Sequence, residues 1–356
     1  MAGLALVFVI GFARREDWRS VAVRSFLLYT ALWLVPVLLT AGLQHMLHVA
    51  TASTWYEPLV LVLRMLGIGL GIIILVERGW LTLYSATLAL ICALFIHAGA
   101  GFLAWLISPA ASLGEWRGLR VTGLVSNPNP FGSFMALTAI LAAGLLRWQR
   151  YRPFLWGLLF LALFDVWASG SRGALLVVAV GMAVLFPPRS ARSLLFYLGG
   201  AVMIAAIYLY SGVQIFSPNS DSERLLAFSF ALEKIRQAPW LGWGIDAYAR
   251  LPGRIGPAAP HNMLLDLALS SGLVALAGWI ISTTLLTYRL ILCDRPAAQL
   301  TLAILAAAVL AGTLEYSLLI STHFRGIWVI VTALACSTLG MCAPAAQAAP
   351  RSPAAR

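Results

Sequence analysis

Apolar runs broken by Arg, Pro and Gly divide the chain into about eleven segments. They lie near 2–12, 22–43, 58–76, 80–107, 130–146, 154–168, 173–187, 194–211, 262–288, 298–320 and 326–342. A helix that crosses a bilayer needs about 20 mostly apolar residues. The pattern therefore predicts an all-α fold, a polytopic transmembrane bundle. Spans one to eight fall in 1–211, a large polar loop in 212–261, spans nine to eleven in 262–342 and a tail in 343–356. The first run is too short to span unless extended or tilted. Its basic cluster follows it, so it does not read as a signal peptide.

The basic connections supply the orientation. Arg14/Arg15/Arg19/Arg24, Arg78, Arg147/Arg150/Arg152, Arg189/Arg192 and Arg289/Arg295 all fall on one side when the spans are counted. Short loops rich in Arg mark the cytoplasmic side, and the tail with Arg351 and Arg356 joins them. The opposite face then holds 44–57, 108–129, the turn Ser169-Gly170-Ser171-Arg172, the loop 212–261 and Ser321–Arg325.

The long loop carries a helix signal of its own. Ser220 and Glu223 have capping-box spacing, and Leu225, Leu226, Phe228, Ala231, Leu232 and Ile235 recur at helical intervals. Pro239 stops that helix, and Trp240-Leu241-Gly242-Trp243-Gly244 makes a turn. An amphipathic helix of this kind is expected to lie along the outer membrane surface.

Composition narrows the function. Hydrophobic residues make up 61% of the chain and charged residues 10%, with a mean hydropathy of +0.89. Soluble chains carry roughly 25% charged residues, so a soluble enzyme, a disordered protein and a secreted disulfide scaffold are all excluded. The net charge is +11, from 24 Lys+Arg against 13 Asp+Glu. Lys234 is the sole lysine. Short-loop placement accounts for most of this charge, and no nucleic-acid partner is expected. Cys92, Cys293, Cys336 and Cys342 lack metal-ligand spacing and fall in spans or on the inner side, so no disulfide is expected.

Arginine on the outer face runs against the positive-inside rule and needs another reason. Arg117, Arg120, Arg172, Arg224, Arg236, Arg250, Arg254 and Arg325 are the outer set. Guanidinium forks match phosphate oxygens in pairs, so a lipid-linked phosphate or diphosphate is one reading. Headgroup contact, or pairing with Glu115, Glu223, Glu233 and Asp246, is the other. The functional reading is favoured for Arg120 and Arg172, the structural one for Arg236, Arg250 and Arg254. Arg64 lies inside a span, where an isolated charge is costly; it requires either a ligand or a buried acid, Asp165 or Glu315. His261 stands where span nine begins. The positive partial charge of a helix start favours a neutral ring, as a general base requires; a capping or interfacial histidine is the alternative. No metal site and no cofactor are expected, because no carboxylate or histidine cluster has ligand spacing.

Several segments together resemble the O-antigen ligase/polymerase superfamily of bacterial inner-membrane glycosyltransferases. They are Arg120-Val-Thr-Gly123 with Asn127-Pro-Asn129, Ser169-Gly-Ser-Arg172-Gly173, Ser222-Glu-Arg224 followed by Ala238-Pro-Trp-Leu-Gly-Trp-Gly244, and His261-Asn262 with Asp266 and Gly272. The resemblance implies a GT-C-like, metal-independent transfer at the periplasmic face. A glycan on undecaprenyl diphosphate would pass with inversion to a hydroxyl of the lipid A-core. His261 would be the base. Arg120, Arg172 and Arg224 would hold the diphosphate, with Asn127, Asn129, Ser171 and Asn262 in support. Twelve spans are usual in the family, so the expectation is that this chain has a shortened front end. A polymerase or a protein O-oligosaccharyltransferase shares the same chemistry. A flippase for lipid-linked sugars would instead place its polar groups near the midplane.

Overall fold

The computed structural model describes residues 11, 13–14, 16–47, 53–107, 121–122, 127–146, 152–188, 190, 218–253, 260–315, 319 and 321–342. The expected eighth span (194–211), the tail and nearly all of the first run lie outside them. Every regular element among the described residues is helical. The helices are α1 (Val21–Met46), α2 (Ser53–Arg64), α3 (Leu70–Glu77), α4 (Leu83–Ile107), α5 (Pro128–Leu145) and α6 (Arg152–Ala168). After them come α7 (Arg172–Leu185), α8 (Pro218–Gln237), the single turn α9 (Ala247–Arg250), α10 (Met263–Ile291), α11 (Pro296–Glu315) and α12 (Thr322–Cys342). A π turn over Met65–Gly69 joins α2 to α3. Six helical stretches are long and apolar enough to cross a membrane: Val21–Met46, Glu57–Glu77, Pro128–Leu145, Met263–Ile291, Pro296–Glu315 and Phe324–Cys342. The chain is a multi-pass helical membrane protein.

Contacts between distant residues fix which ends of the helices lie together. α1 runs antiparallel to α10: Ser282 Oγ donates to the Tyr29 carbonyl at 2.7 Å, and Gln44 Nε2 donates to the Ser270 carbonyl at 3.0 Å. Between these bonds the two backbones touch, since a Cβ at Gly278 would stand 2.1 Å from the Leu32 carbonyl oxygen. At one end of the bundle Asp17 pairs with Arg78 at 2.6 Å, and Gly340 abuts Glu77 and Ala22. Arg289, Arg295 and Val21 line one surface there. The arginine-rich connections visible in the structure thus converge on that end, as the loop count predicts.

The cysteines correct an expectation. Cys293 and Cys342 form a disulfide across 5.9 Å between Cα atoms, tying the end of α10 to the end of α12. They are 49 residues apart in sequence. Antiparallel helix packing brings them together, which spacing along the chain does not reveal. Cys92 and Cys336 are free.

The polar loop differs from expectation at the start of its helix. α8 begins at Pro218, so Ser220 lies in its first turn and is not its cap; proline suits that first position because the missing N–H would be unpaired there anyway. Its inward face is Ala227, Ala231 and Ile235, at i, i+4 and i+8, packed with Tyr248 and Leu269. Leu225, Leu226 and Leu232 point outward. Small residues allow α8 to sit close on α10, and the leucines are left for another apolar environment.

The turn after α8 is clasped onto a break in α10. Gly272 interrupts that helix at φ +80°. The freed carbonyls of Leu269 and Ser270 accept from Trp243 N–H at 2.7 Å and Gly244 N–H at 3.0 Å, while Leu273 N–H donates to the Pro239 carbonyl at 2.8 Å. A Cβ on Gly272 would sit 1.9 Å from the Trp240 carbonyl oxygen, and one on Gly242 2.6 Å from that of Leu269. Both glycines are therefore required twice, for left-handed backbone and for contact. Gly272→Ala should lower the thermal midpoint in detergent by at least several degrees, corresponding to about 2 kcal/mol or more. A wild-type midpoint for this variant would contradict the clasp.

Candidate functional site

The end of the bundle opposite the arginine-rich connections gathers helix starts. Asn127 caps α5, its Oδ1 accepting from Asn129 N–H at 3.0 Å. Ser171 caps α7, its Oγ accepting from Ala174 N–H at 3.2 Å. Asn262 caps α10, accepting from Leu264 and Leu265 N–H at 2.9 and 3.0 Å. Each of these residues was expected to support the site; in the structure each fixes a helix N-terminus, where partial positive charge accumulates.

Close contacts join the starts of α5 and α7, and α11 carries the start of α10. The corner between α6 and α7 is built by Ser169, whose Oγ donates to the Val166 carbonyl at 2.7 Å and accepts from Ser171 N–H at 3.2 Å. Gly132, in the first turns of α5, lies against it: a Cβ there would be 2.3 Å from Ser169 Oγ. Val121 N–H donates to the Ala168 carbonyl at 3.2 Å, so that part of the chain meets the same corner. Gly312 of α11 packs against Met263 at the start of α10 and Phe324 at the start of α12.

Arg172 is the first residue of α7 and is half-buried at this corner. Arg224, in the second turn of α8, reaches across to the last residue of α11. Its Nη2 lies 3.1 and 3.2 Å from the two carboxylate oxygens of Glu315. Glu315 also stands beside α7, with Oε1 3.2 Å from where a Cβ on Gly173 would be. One buried carboxylate therefore links the neighbour of Arg172 to Arg224. Glu315 engages Arg224 through Nη2, which leaves the Nε–H and Nη1–H donors outside this ion pair. His261 immediately precedes the Asn262 cap, half-buried, with φ +48°. Positive φ is uncommon outside glycine, and such conformations cluster at functional sites.

Arg120 lies outside the described residues, as do Arg117 and Arg254. Arg325, left open between the two readings, takes the structural one: only 1% of its side chain is exposed, and it forms an ion pair with Glu57 that ties α12 to α2. Arg250 turns back onto the Ile245 and Asp246 carbonyls, in keeping with a structural role. Sequence reasoning missed Glu315 as a site residue, treating it as a partner for Arg64. The available signal was a lone ionisable residue at the end of an apolar span. The other acid considered for Arg64, Asp165, is fully buried one turn before the Ser169 corner, and neither of its side-chain oxygens has a hydrogen-bond partner among the described residues. Among the described residues no three His, Cys, Asp or Glu side chains are grouped as metal ligands.

Residues 157–280 match the profile of the family described as O-antigen ligase. Over that segment the match supports the O-antigen ligase/polymerase-like superfamily. Its members are glycosyltransferase-like membrane enzymes that work on lipid-linked glycans. The matched segment runs from α6 to the middle of α10 and contains Ser171, Arg172, Arg224, His261 and Asn262. Asn127, Asn129 and Glu315 lie outside it. No curated protein matches the chain.

The ion pair makes a stability prediction. Arg224→Met leaves the Glu315 carboxylate, with 4% of its side chain exposed, without its counter-ion. The cost should be about 2–3 kcal/mol, below the range for fully buried pairs because Arg224 is 30% exposed. Arg224→Met combined with Glu315→Leu should recover most of it. Equal loss of thermal stability in the single and double variants would show that the pair is not a coupled unit.

Proposed function

We propose that this protein is an O-antigen ligase of the bacterial inner membrane. It would transfer a glycan from undecaprenyl diphosphate to a sugar hydroxyl of lipid A-core at the periplasmic face, without a metal. The observation that carries the reading is the convergence of Arg172, the Arg224–Glu315 pair and His261 on one end of the bundle, among three capped helix starts. That end lies opposite the arginine-rich connections, which by the positive-inside rule are cytoplasmic.

The chemistry follows from the charge arrangement. Arg172, Arg224 and helix N-termini bring positive charge to this end of the bundle, which suits a dianionic or trianionic group. The diphosphate of the donor is such a group, held by Arg172, Arg224 and Arg120. In the transfer, the acceptor hydroxyl oxygen attacks the anomeric carbon from the face opposite the diphosphate. The bond from that carbon to the phosphate oxygen breaks as the new glycosidic bond forms, which inverts the centre. His261 takes the hydroxyl proton, and the departing polyprenyl diphosphate carries the electron pair, its charge stabilised by the arginines. A polymerase or a protein O-oligosaccharyltransferase uses these same steps with another acceptor. The polar groups gather at one end rather than mid-bundle, which disfavours a flippase.

Incubating purified protein with undecaprenyl-diphosphate glycan and lipid A-core should yield the conjugate, and EDTA should not change the rate. Arg172→Ala should abolish most transfer, and Arg172→Lys should restore only part of it, because an ammonium lacks the planar two-point contact. His261→Ala should lose about 10²–10⁴-fold in turnover while still binding undecaprenyl diphosphate. Full activity in both Arg172 variants, or rescue of EDTA-treated protein by a divalent ion, would overturn the reading.

A further inference from the structure

Cys293 and Cys342 lie at the arginine-rich end of the bundle, beside Arg289, Arg295 and Val21. By the positive-inside rule that end faces the cytoplasm. Thiols there are kept reduced, and the disulfides that do form are mostly transient and tied to redox chemistry. A static cross-link is therefore the wrong reading of a bond in this position. Packing also holds α10 and α12 together without it. The Trp279 and Trp328 rings meet between the two helices with centroids 5.3 Å apart, and Gly340 seats α12 against Ala22 and Glu77. The bond acts on the helix ends alone.

The pair is within reach of a small molecule. Both cysteines are half-buried, and both line a cavity of about 450 Å³, a volume within the range that takes a small ligand. Arg289, Asp294 and Arg295 also line it, and all three are exposed. Two guanidinium groups against one carboxylate leave the cavity net positive. That charge draws in an anionic reagent and stabilises the thiolate that departs when the bond opens. Cys336 is buried and Cys92 is exposed elsewhere; neither is bonded.

We infer that Cys293–Cys342 is a reversible thiol–disulfide pair, opened and closed through this cavity by an anionic thiol of the glutathione class and its disulfide. The small thiolate attacks one cysteine sulfur. The protein S–S bond breaks as a mixed disulfide forms, and the other cysteine leaves as a thiolate with the electron pair. A second small thiolate then attacks the mixed disulfide and frees the second cysteine. Two small thiols are oxidised to one disulfide while the protein bond is reduced to two thiols, which take up the protons released; closing is the reverse. The inference rests on the orientation proposed above and is independent of the transfer reaction.

Inside-out vesicles of the inner membrane carrying the full chain test it. After incubation the samples are denatured in a maleimide–polyethylene glycol reagent, which counts free thiols. The count is four with the pair open and two with it closed, because the chain has four cysteines and Cys92 and Cys336 are free. Glutathione should bring the count to four and glutathione disulfide should return it to two, while right-side-out vesicles should respond to neither. Arg289→Gln combined with Arg295→Gln should slow opening by glutathione several-fold more than opening by uncharged mercaptoethanol. A count fixed at two in glutathione or at four in glutathione disulfide would overturn the inference. So would equal slowing for the two thiols, which would remove the cavity from the reaction. A response confined to right-side-out vesicles would reverse the orientation and take the periplasmic placement of the proposed reaction with it. A fixed count in both kinds of vesicle would sink the redox pair alone.

Discussion

Contact between two backbones at Gly242 and Gly272 governs the geometry of the candidate site. A helix of 29 residues in an apolar bundle has every reason to continue unbroken, because each unpaired backbone group in hydrocarbon costs several kcal/mol. The break at Gly272 is tolerated because the 239–244 turn supplies the missing partners, two N–H donors and one carbonyl acceptor. In return the turn is locked to α10, and with it α8. Trp243 reinforces the joint by donating its indole N–H to the Lys234 carbonyl at 2.8 Å, closing the end of α8. The arginine on α8 and the histidine before α10 thereby belong to one rigid assembly.

Electrostatics then explains why that assembly invites an anion. Like charges converge only where something offsets them, and at this end of the bundle Arg172, Arg224 and three helix starts lie with the Glu315 carboxylate, which pairs with Arg224. Glu315 holds one arginine in place without using all of its donors. Arg325, by contrast, is removed from the site by burial against Glu57. Arginines of the same outer set have therefore been divided by packing into those that brace helices and those that face the site.

Hydropathy made the bundle readable from the chain because a bilayer forces long apolar helices and admits few alternatives. Asn127, Ser171 and Asn262 stood out through the family resemblance, and only the structure shows that all three cap helices. What sequence did not disclose depends on three-dimensional adjacency. The Cys293–Cys342 bond joins helix ends 49 residues apart, and Glu315 meets Arg224 across 91 residues. In α8 amphipathic spacing says which residues share a face but not which face meets protein. Ala227 and Ala231 won that position because close approach to α10 favours small side chains.

The account stands on where the charged head of the donor binds. A structure of the protein with undecaprenyl diphosphate bound would test it most directly. The account predicts phosphate oxygens within hydrogen-bond reach of the Arg172 and Arg224 guanidinium groups, with the His261 ring facing the space beyond the terminal phosphate. Phosphates found at the opposite end, among Arg289 and Arg295, or a headgroup that leaves both site arginines untouched, would contradict it.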